Sequence, residues 1–363
     1  MRILAVSSYG VAGGAELALT TFLEHRPAGV SVGTLLVSDG PLRALLHEQD
    51  IPVWVAADQA GRPTPARVRR FTGSLLALLQ RFAPDVVWAV GQKAALLSAA
   101  ACRLRGVPLV WHKVDFSWDR QLAKPLALAS TGVIAVSRTA AEPLGILAES
   151  RLLGVVWPPV RLGEDVRAHP DPATPTIGTL ARLVPYKGLH HIIRAGGLLA
   201  QEFPALRVVL AGAPVLEFPE YPSQLRALAD EVGLSQRVEL PGHVAEVSSV
   251  LERLTVFVSA TYREGRFGLE GLGAGILEAS YVGLPVVVTR AGGSVETLED
   301  GRTGTLVDAP DPALLAEAIA PYLRDPHHAA RAGAAGRRFA RAGGIEPVAA
   351  AATLFGLLAS VPH

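Results

Sequence analysis

The stretch Glu270-Gly271-Leu272-Gly273-Ala274-Gly275-Ile276-Leu277-Glu278-Ala279 places two carboxylates around a glycine-rich turn. The two acidic positions are eight residues apart, a little over two turns of a continuous helix. The glycines predict that Glu270 lies in a loop and that Glu278 lies in the first turn of the following helix. Loop amides and the positive end of that helix then face the same space as both acids. Since carboxylates accept hydrogen bonds from hydroxyls, the stretch suits a ligand with both hydroxyls and phosphates.

The residues that follow bear on this interpretation. Alone, the acidic pair also fits a glycine-rich turn before an ordinary helix with two solvated carboxylates. Downstream, the sequence Gly-Leu-Pro-Val-Val-Val at 283–288 predicts a turn and a buried strand. The sequence Ala-Gly-Gly-Ser-Val-Glu at 291–296 then predicts a Gly-Gly loop, and Asp-Gly-Arg-Thr-Gly at 300–304 predicts another turn.

Length and composition limit the class of protein. The 363 residues suffice for two domains with sizeable cores. Half of them are hydrophobic, yet no uninterrupted apolar run reaches the roughly 20 residues of a membrane span. The net charge of +1 argues against a nucleic-acid partner, and the single cysteine, Cys102, excludes a disulfide framework. The short apolar stretch after Arg2 is typical of a first strand and not of a signal peptide. The expected location is therefore cytoplasmic.

The first half of the chain alternates between predicted strands and helices. Strands are predicted at 33–37, 53–55, 85–89, 108–111 and 132–136, with helical runs such as 65–82 and 93–105 between them. This βα alternation indicates a mostly parallel sheet covered on both faces. At its start, an apolar strand leads through Gly13-Gly14 into a helix, which is the opening of a nucleotide-type α/β unit. A simple tight βα turn is the alternative for these glycines.

One histidine of the first half stands at a position where α/β sheets bind ligands. His112 follows the predicted strand 108–111, and open α/β sheets hold ligands at the carboxyl ends of their strands. A purely structural histidine is the alternative. The proline-rich segment 169–175 is the best linker candidate. We therefore expect domains at 1–170 and 171–344, with a last helix in 345–363.

Two cations open the predicted second domain. Arg182 and Lys187 flank Pro185 directly after a predicted strand and before a helix. Arg supplies a planar fork and Lys a point charge, so together they can clamp a diphosphate. Two solvated cations in a turn are the alternative. Further along, residues 260–269 separate the strand at 255–259 from Glu270.

The run from Glu270 to Gly304 resembles the donor-binding end of the retaining glycosyltransferases of the GT-B fold, family 4 (glycosyl transferases group 1) in particular. Their signature is two glutamates with seven residues between them, a Gly-x-Pro-Val-Val strand and a Gly-Gly-x-x-Glu loop. Arg182 and Lys187 match the diphosphate motif of the same family. The resemblance implies an α/β chain with two Rossmann-like domains facing across a central cleft. The domain at 1–170 would bind the acceptor, and the domain at 171–344 would bind the nucleotide sugar. It also marks 260–269 as a loop extension beside the sugar site.

The resemblance implies a role for each candidate catalytic residue. Glu270 would bind hydroxyls of the donor sugar, and His112 would orient that sugar. Arg182 and Lys187 would stabilise the departing diphosphate, where negative charge builds during the reaction. No Asp-x-Asp metal motif is present in the sequence, so we expect no metal and no cofactor beyond the nucleotide sugar, which is a co-substrate.

The resemblance also implies a set of donor-binding residues. Glu278 would bind the ribose hydroxyls, glycine-loop amides would add to the diphosphate site, and backbone near Gly242 would hold the nucleobase. The full set is Gly13, Gly14, Gly242, Gly271, Leu272, Gly273 and Glu278. The last helix would return to the first domain.

The expected function is transfer of a hexose from a nucleotide-diphosphate sugar to an acceptor hydroxyl with retention of configuration. The acceptor would be a small molecule, a glycan or a lipid-linked molecule, with membrane contact that is at most peripheral. Two alternatives remain open on the sequence. One is another enzyme on the same fold, such as a nucleotide-sugar epimerase or a phosphorylase. The other is a catalytically silent nucleotide- or glycan-binding module.

Overall fold

The chain forms two compact units. The structure, a computed structural model, describes residues 1–10, 13–56, 64–265 and 267–362. Unit 1 consists of Met1–Pro159 together with Gly344–His363, and unit 2 consists of Val160–Gly343. Each unit is built on its own parallel sheet.

Unit 1 contains a seven-stranded sheet in the order β3-β2-β1-β4-β5-β6-β7. Every strand pair in it is parallel. The strands are β1 Arg2–Ser7, β2 Ser31–Leu36, β3 Val53–Val55, β4 Val86–Val90, β5 Leu109–Lys113, β6 Gly132–Ala135 and β7 Leu152–Val155. Inner strands such as β4 and β5 are buried along their whole length, as their continuous apolar sequences predict.

Helices cover both faces of this sheet. The side chains on its two faces belong to two separate apolar clusters, each of which includes helix residues. The helices are α1 Gly14–Glu24, α2 Leu42–His47, α3 Pro65–Phe82, α4 Gln92–Arg105, α5 Asp119–Ala129, α6 Arg138–Ala141 and α7 Ala148–Arg151. The predicted bounds of α3 are confirmed. Thr64 caps this helix by accepting from the backbone N–H of Arg67, and Pro65 occupies its first turn.

Unit 2 repeats the plan with a six-stranded sheet in the order β10-β9-β8-β11-β12-β13. Its strands are β8 Thr176–Leu180, β9 Arg207–Ala211, β10 Val238–Gly242, β11 Val256–Ser259, β12 Val286–Thr289 and β13 Gly304–Val307. Its helices are α8 Leu189–Leu199, α9 Tyr221–Glu231, α10 Ser248–Leu251, α11 Ala274–Val282, α12 Pro312–Arg324 and α13 Pro326–Ala342. Short 3₁₀ turns lie at Pro185–Lys187 and Gly293–Glu296.

The last helix, α14 Pro347–Ala359, belongs to unit 1. It packs on α1, and its Phe355 ring meets the edge of the buried Trp88 ring at 6.3 Å between centroids. By length and composition the stretch Pro326–Ala359 could cross a membrane. It consists of two helices, however, and the first of them, α13, packs on α11 and α12 within unit 2.

The boundary between the units differs from the predicted one. The sequence places it at 170/171, whereas the structure places it between Pro159 and Val160. The backbone N–H of His169 donates to the carbonyl of Glu252 at 2.8 Å, at the start of the proline-rich segment. The Arg337 guanidinium donates to the carbonyls of Glu164 and Val166, which fixes the preceding residues to unit 2. The prolines therefore exclude regular secondary structure without creating a free linker.

A buried lysine joins β5 to α5 in unit 1. The Lys113 side chain is fully buried, and its Nζ donates to both carboxylate oxygens of Asp119 at 2.7 and 2.8 Å. The same Nζ donates to the carbonyl of Asp115 at 2.7 Å, and Gln92 Nε2 donates to Asp119 at 2.5 Å. Burial lowers the pKa of Lys113 and raises the pKa of Asp119, and their mutual attraction opposes both shifts. The pair is therefore stable only when both members are present.

We expect Lys113→Ala to lower the free energy of unfolding by about 3–5 kcal/mol, because it leaves the Asp119 carboxylate without its cation. Urea denaturation followed by circular dichroism measures this loss. Lys124→Ala removes an exposed lysine of α5 and is the matched control, with an expected change within about 0.5 kcal/mol. An unfolding free energy of Lys113→Ala close to that of the control would contradict the role given to the buried pair.

Candidate active site

The candidate site of unit 2 lies where the strand order of its sheet reverses. The order is β10-β9-β8 in one direction and β11-β12-β13 in the other, so the reversal lies between β8 and β11. Arg182 and Lys187 follow β8, and Glu270 follows β11. In open α/β sheets the carboxyl edge at this reversal is the usual place for a ligand.

The Glu270 backbone connects the two predicted glycine loops. Its N–H donates to the carbonyl of Ala291 at 3.1 Å, and its carbonyl accepts from the N–H of Gly293 at 2.8 Å. Glu270 and Gly292 thereby form an isolated parallel bridge outside the named strands. The predicted loop position of Glu270 is confirmed, and the Gly-Gly loop at 291–296 holds it in place.

The Glu270 side chain forms an ion pair with Lys187. Oε1 of Glu270 accepts from Lys187 Nζ and also from the Thr261 hydroxyl, the latter at 2.8 Å. Both charged side chains are largely shielded, each with 17% of its surface exposed. Thr289 donates its hydroxyl to the Thr261 carbonyl at 2.5 Å, which fixes the threonine. The ion pair thus joins two predicted motifs that lie far apart in the sequence.

The charge of Glu270 is stabilised by its partners. Burial alone would raise the pKa of this carboxyl, but the charge and hydrogen bond of Lys187, the Thr261 hydroxyl and the Arg182 charge outweigh it. The pKa of Glu270 therefore lies below its usual range, and the group is ionised at neutral pH. Both hydrogen bonds go to Oε1, and no residue in the described part of the chain donates to Oε2. That oxygen is able to accept from a ligand hydroxyl.

Arg182 is exposed, and Tyr186 orients its guanidinium. Its Nη2 donates to the Tyr186 hydroxyl at 3.2 Å. The Tyr186 ring stacks on Phe267 with centroids 5.9 Å apart, and its carbonyl accepts from the N–H of Tyr262 at 2.9 Å. The predicted loop extension therefore holds the tyrosine that positions the guanidinium. The sequence did not predict a role for Tyr186 or Thr261. The only signal for these two residues was that they lie close in sequence to charged motifs.

Glu278 lies in a different electrostatic environment. Helix α11 begins at Ala274, so Glu278 lies in the second turn and the predicted first-turn position is wrong. Gly273, with φ of 102°, adopts a conformation that favours glycine and starts the helix, and no side chain caps it. Burial raises the pKa of Glu278 to about 7, although the charge of Arg161 partly opposes the shift. Within the described ranges no donor bonds its half-buried carboxylate.

The remaining candidates of unit 2 belong to loop backbone. Gly271 is half-buried and Leu272 is buried, in the turn between Glu270 and α11. Gly242 ends β10, and its carbonyl accepts from Gly212 N–H at 2.8 Å. A Cβ added at Gly242 would meet no atom of the described residues within 4 Å, so a ligand can approach this backbone. In unit 1, Gly13 and Gly14 form the start of α1.

His112 lies inside β5 of unit 1 and not after the strand, because the parallel ladder continues to Lys113. Only 4% of the residue is exposed, and its ring stacks on Trp88 at 5.9 Å between centroids. Burial lowers the pKa of the imidazole to about 4, so the ring is neutral at pH 7. Neither ring nitrogen has a hydrogen-bond partner among the described residues. A buried group with two open positions costs free energy unless water or a ligand reaches it.

No three His, Cys, Asp or Glu side chains could jointly hold a metal ion in the described ranges 1–10, 13–56, 64–265 and 267–362. The positive charge that stabilises the ionised Glu270 comes from Lys187 and Arg182. Unit 2 therefore offers a pair of cations for an anionic ligand, one ionised carboxylate and one carboxylate with a pKa near neutrality.

A family of known proteins resembles this chain within unit 2. Residues 165–339 match the sequence model of the family described as "Glycosyl transferases group 1". Over 178 residues the chain is 38% identical to the GDP-mannose-dependent alpha-(1-6)-phosphatidylinositol monomannoside mannosyltransferase of Mycolicibacterium smegmatis, with 46% of this chain and 43% of that protein covered. Over 170 residues it is 34% identical to the D-inositol 3-phosphate glycosyltransferase of Corynebacterium urealyticum, with 43% of this chain and 39% of that protein covered. The chain thus matches less than half the length of these two relatives.

Similarity to a solved structure extends over both units. The crystal structure of Anabaena Alr3699/HepE in complex with UDP and glucose has a TM-score of 0.83 and 26% sequence identity, and the match covers 99% of this chain and 100% of that chain. The predicted α/β fold class, GT-B with two Rossmann-like units, is confirmed. Within unit 2, residues 165–339 thus resemble the glycosyl transferases group 1 family in sequence.

Proposed function

We propose that the protein transfers a hexose from a nucleoside-diphosphate sugar to an acceptor hydroxyl with retention of anomeric configuration. The observation that carries this proposal is the Lys187–Glu270 pair at the strand reversal of unit 2, with Arg182 beside it. The names of two relatives, a GDP-mannose-dependent mannosyltransferase and a D-inositol 3-phosphate glycosyltransferase, support it. So does the UDP and glucose complex of the Anabaena protein.

The two cations would hold the diphosphate of the donor. An ammonium group has three donors, so Lys187 can keep its bond to Glu270 and still reach a phosphate oxygen. The Arg182 fork, positioned by Tyr186, can bind a second oxygen. Negative charge grows on the leaving diphosphate as the sugar–oxygen bond breaks, so this pair would bind the transition state better than the substrate. Amides of the Gly271-Leu272-Gly273 turn would add to this stabilisation.

The carboxylates and the histidine would recognise the rest of the donor. Oε2 of Glu270 would accept from sugar hydroxyls, Glu278 from the ribose, and backbone near Gly242 would hold the base. Neutral His112 would orient the sugar with a ring nitrogen that has no other partner among the described residues. Since Glu270 is held by Lys187 and Thr261, it is poorly placed as a nucleophile. Attack on the face of the departing phosphate, assisted by that phosphate, fits this arrangement better than double displacement.

The rival functions are separated by one incubation. A phosphorylase would need a lysine for pyridoxal phosphate, yet Lys113 is fully buried in its ion pair and Lys187 is paired with Glu270. GDP-mannose and UDP-glucose are incubated with and without methyl α-D-mannopyranoside or myo-inositol, and free nucleotide is measured. Release that increases with acceptor supports transfer. Epimerised donor without release indicates an epimerase, and binding without turnover indicates a silent module.

Lys187→Ala should lower kcat by about 10²–10³-fold, the scale for loss of one preorganised stabilising donor, while donor KM changes much less. Arg182→Lys should recover only part of the wild-type kcat, since a point charge cannot replace a two-pronged fork. Steady-state kinetics with circular dichroism as a folding check measures both. Arg226→Ala removes an exposed arginine of α9 and serves as the control. Near-normal kcat with raised KM in both site variants would mean that the cations only hold substrate.

Glu278→Gln should weaken nucleotide binding and stabilise the fold. Loss of a charged hydrogen bond to ribose should lower the affinity for GDP or UDP by about 1.5–3 kcal/mol in calorimetry at pH 8. The folded-state pKa is raised from 4.5 to about 7, so ionisation of Glu278 destabilises the fold increasingly as pH rises through this window. The shift is worth at most about 3 kcal/mol above pH 7, and water around the half-buried group reduces it to about 1–2 kcal/mol.

The gain in unfolding free energy of Glu278→Gln should therefore be present at pH 8 and largely lost at pH 5, where the folded wild type already carries a protonated Glu278. Thermal unfolding at the two pH values tests this sign. Unchanged nucleotide affinity would remove Glu278 from the site, and equal stabilisation at both pH values would contradict its raised pKa.

We also expect activity to survive EDTA, because Arg182 and Lys187 would supply the positive charge at the diphosphate. Nucleotide release is compared before and after chelation and after addition of magnesium or manganese. Complete loss with EDTA that either metal restores would overturn this view of the leaving group.

A further inference from the structure

We propose that Trp118 contacts the acceptor. A polyhydroxylated ring of the acceptor, a sugar or a cyclitol, would stack on the indole. This inference rests on the proposed transfer reaction, and it assigns the acceptor to the loop between β5 and α5 of unit 1. The loop, residues 114–118, begins directly after His112 and Lys113 at the carboxyl edge of the sheet. Ligands of open α/β sheets bind at that edge.

Trp118 is held exposed in an unfavourable backbone conformation. Trp118 is 57% exposed, and its backbone angles, φ of 59° and ψ of 17°, lie in the left-handed region. The other non-glycine residues with positive φ in the described part of the chain are Asp50 and Ala83. Both of those follow a helix, where left-handed caps are common, whereas Trp118 precedes one. A strained, exposed aromatic side chain is retained where it serves a ligand and not the core.

The loop that presents Trp118 is rigid. Lys113 Nζ binds the carbonyl of Asp115 near the start of the loop and the carboxylate of Asp119 just after its end. Inside the loop, the Ser117 N–H donates to Asp115 Oδ1 at 2.7 Å, and the Phe116 ring lies 5.2 Å from Lys113 Nζ. The backbone that carries the indole is thus held in place, and a ligand would not have to order this loop on binding.

Neighbouring loops of the same edge are fixed to this one. Gln92, at the start of α4, donates to Asp119, which links the turn after β4 to the start of α5. Ser8, after β1, donates to the Val90 carbonyl at 3.0 Å and accepts from the Ala94 N–H at 3.0 Å. The order of the sheet reverses between β1 and β4, so these bonds tie together the loops at the reversal. Trp118 directly precedes Asp119, which is one of the residues that these hydrogen bonds connect.

The chemistry of the loop favours a ring with one apolar face and hydroxyl groups at its rim. An indole offers a large flat apolar surface and a single N–H donor. The cations that suit a diphosphate lie in unit 2, so the aromatic group of unit 1 is left for the other substrate. The loop itself carries the acidic Asp115 and no basic residue, which disfavours an anionic lipid surface as its partner.

The test uses Trp118→Ala, Trp118→Phe and a matched control, Leu128→Ala. Leu128 lies on α5, the helix that follows Trp118, and is 59% exposed. GDP-mannose and UDP-glucose are the donors, and methyl α-D-mannopyranoside and myo-inositol are the acceptor probes. We expect Trp118→Ala to raise the KM for the accepted probe by about tenfold, as for loss of one aromatic stacking contact. Trp118→Phe should recover most of this loss. Dissociation constants for GDP and UDP should be unchanged, and Leu128→Ala should behave as wild type.

Each other outcome overturns the inference. An unchanged acceptor KM in Trp118→Ala removes the indole from the acceptor site. Reduced binding of Trp118→Ala to phosphatidylcholine–phosphatidylglycerol vesicles with an unchanged KM assigns it to a membrane surface. A wild type that cleaves the donor but neither uses the two probes nor changes its tryptophan fluorescence with them refutes a ring-shaped acceptor. Failure of the proposed function is distinct, since the wild type would then release no nucleotide from any donor.

Discussion

The ion pair between Lys187 and Glu270 is the interaction on which the candidate site of unit 2 depends. Each partner follows a different strand at the reversal of the sheet, and each side chain is largely shielded from water. Removing a charge from water is costly unless a partner compensates for it, so neither side chain is stable in this position alone. The pair therefore fixes the turn after β8 relative to the loop after β11. Thr261 and the Gly-Gly loop hold Glu270 from two other directions.

The two glutamates of the site illustrate how one residue type acquires two different properties. Burial acts to raise the pKa of both carboxyls. Glu270 has a cation and a hydroxyl in contact, so its pKa falls below the usual range, whereas only the charge of Arg161 opposes the shift of Glu278. Glu270 is thus stabilised in the ionised form before any ligand arrives. Glu278 gains most from a ligand that donates hydrogen bonds to it.

Much of the fold could be predicted because its signals are local. Apolar runs separated by helical periods predicted most strands of the first sheet and the bounds of α3. The glycine pattern placed Glu270 in a loop but set Glu278 one turn too early, since several glycines could start the helix and the structure uses Gly273. The domain boundary was misplaced because proline content shows where regular structure ends and not where contacts end. Arg337, far along the chain, holds the residues just before the proline-rich segment.

The contacts within the site were less predictable. The spacing of Arg182 and Lys187 indicated a clamp, but it could not reveal that Tyr186 orients the guanidinium through the segment 260–269. Thr261 likewise gains its role from the position of Glu270 in space. Such partners depend on how loops from separate strands meet, and periodicity carries no information about that. Burial of His112 and Lys113 on one strand also follows from packing on neighbouring helices rather than from sequence type.

A double-mutant cycle between Lys187 and Glu270 tests the central claim most directly. The single variants Lys187→Ala and Glu270→Gln and the double variant are compared in kcat/KM for the donor and in the affinity for GDP or UDP. If the pair acts as one unit, the two effects are strongly non-additive, with a coupling energy of about 1–3 kcal/mol. Additive effects within about 0.5 kcal/mol would show that the two groups act independently and would contradict a site organised around their ion pair.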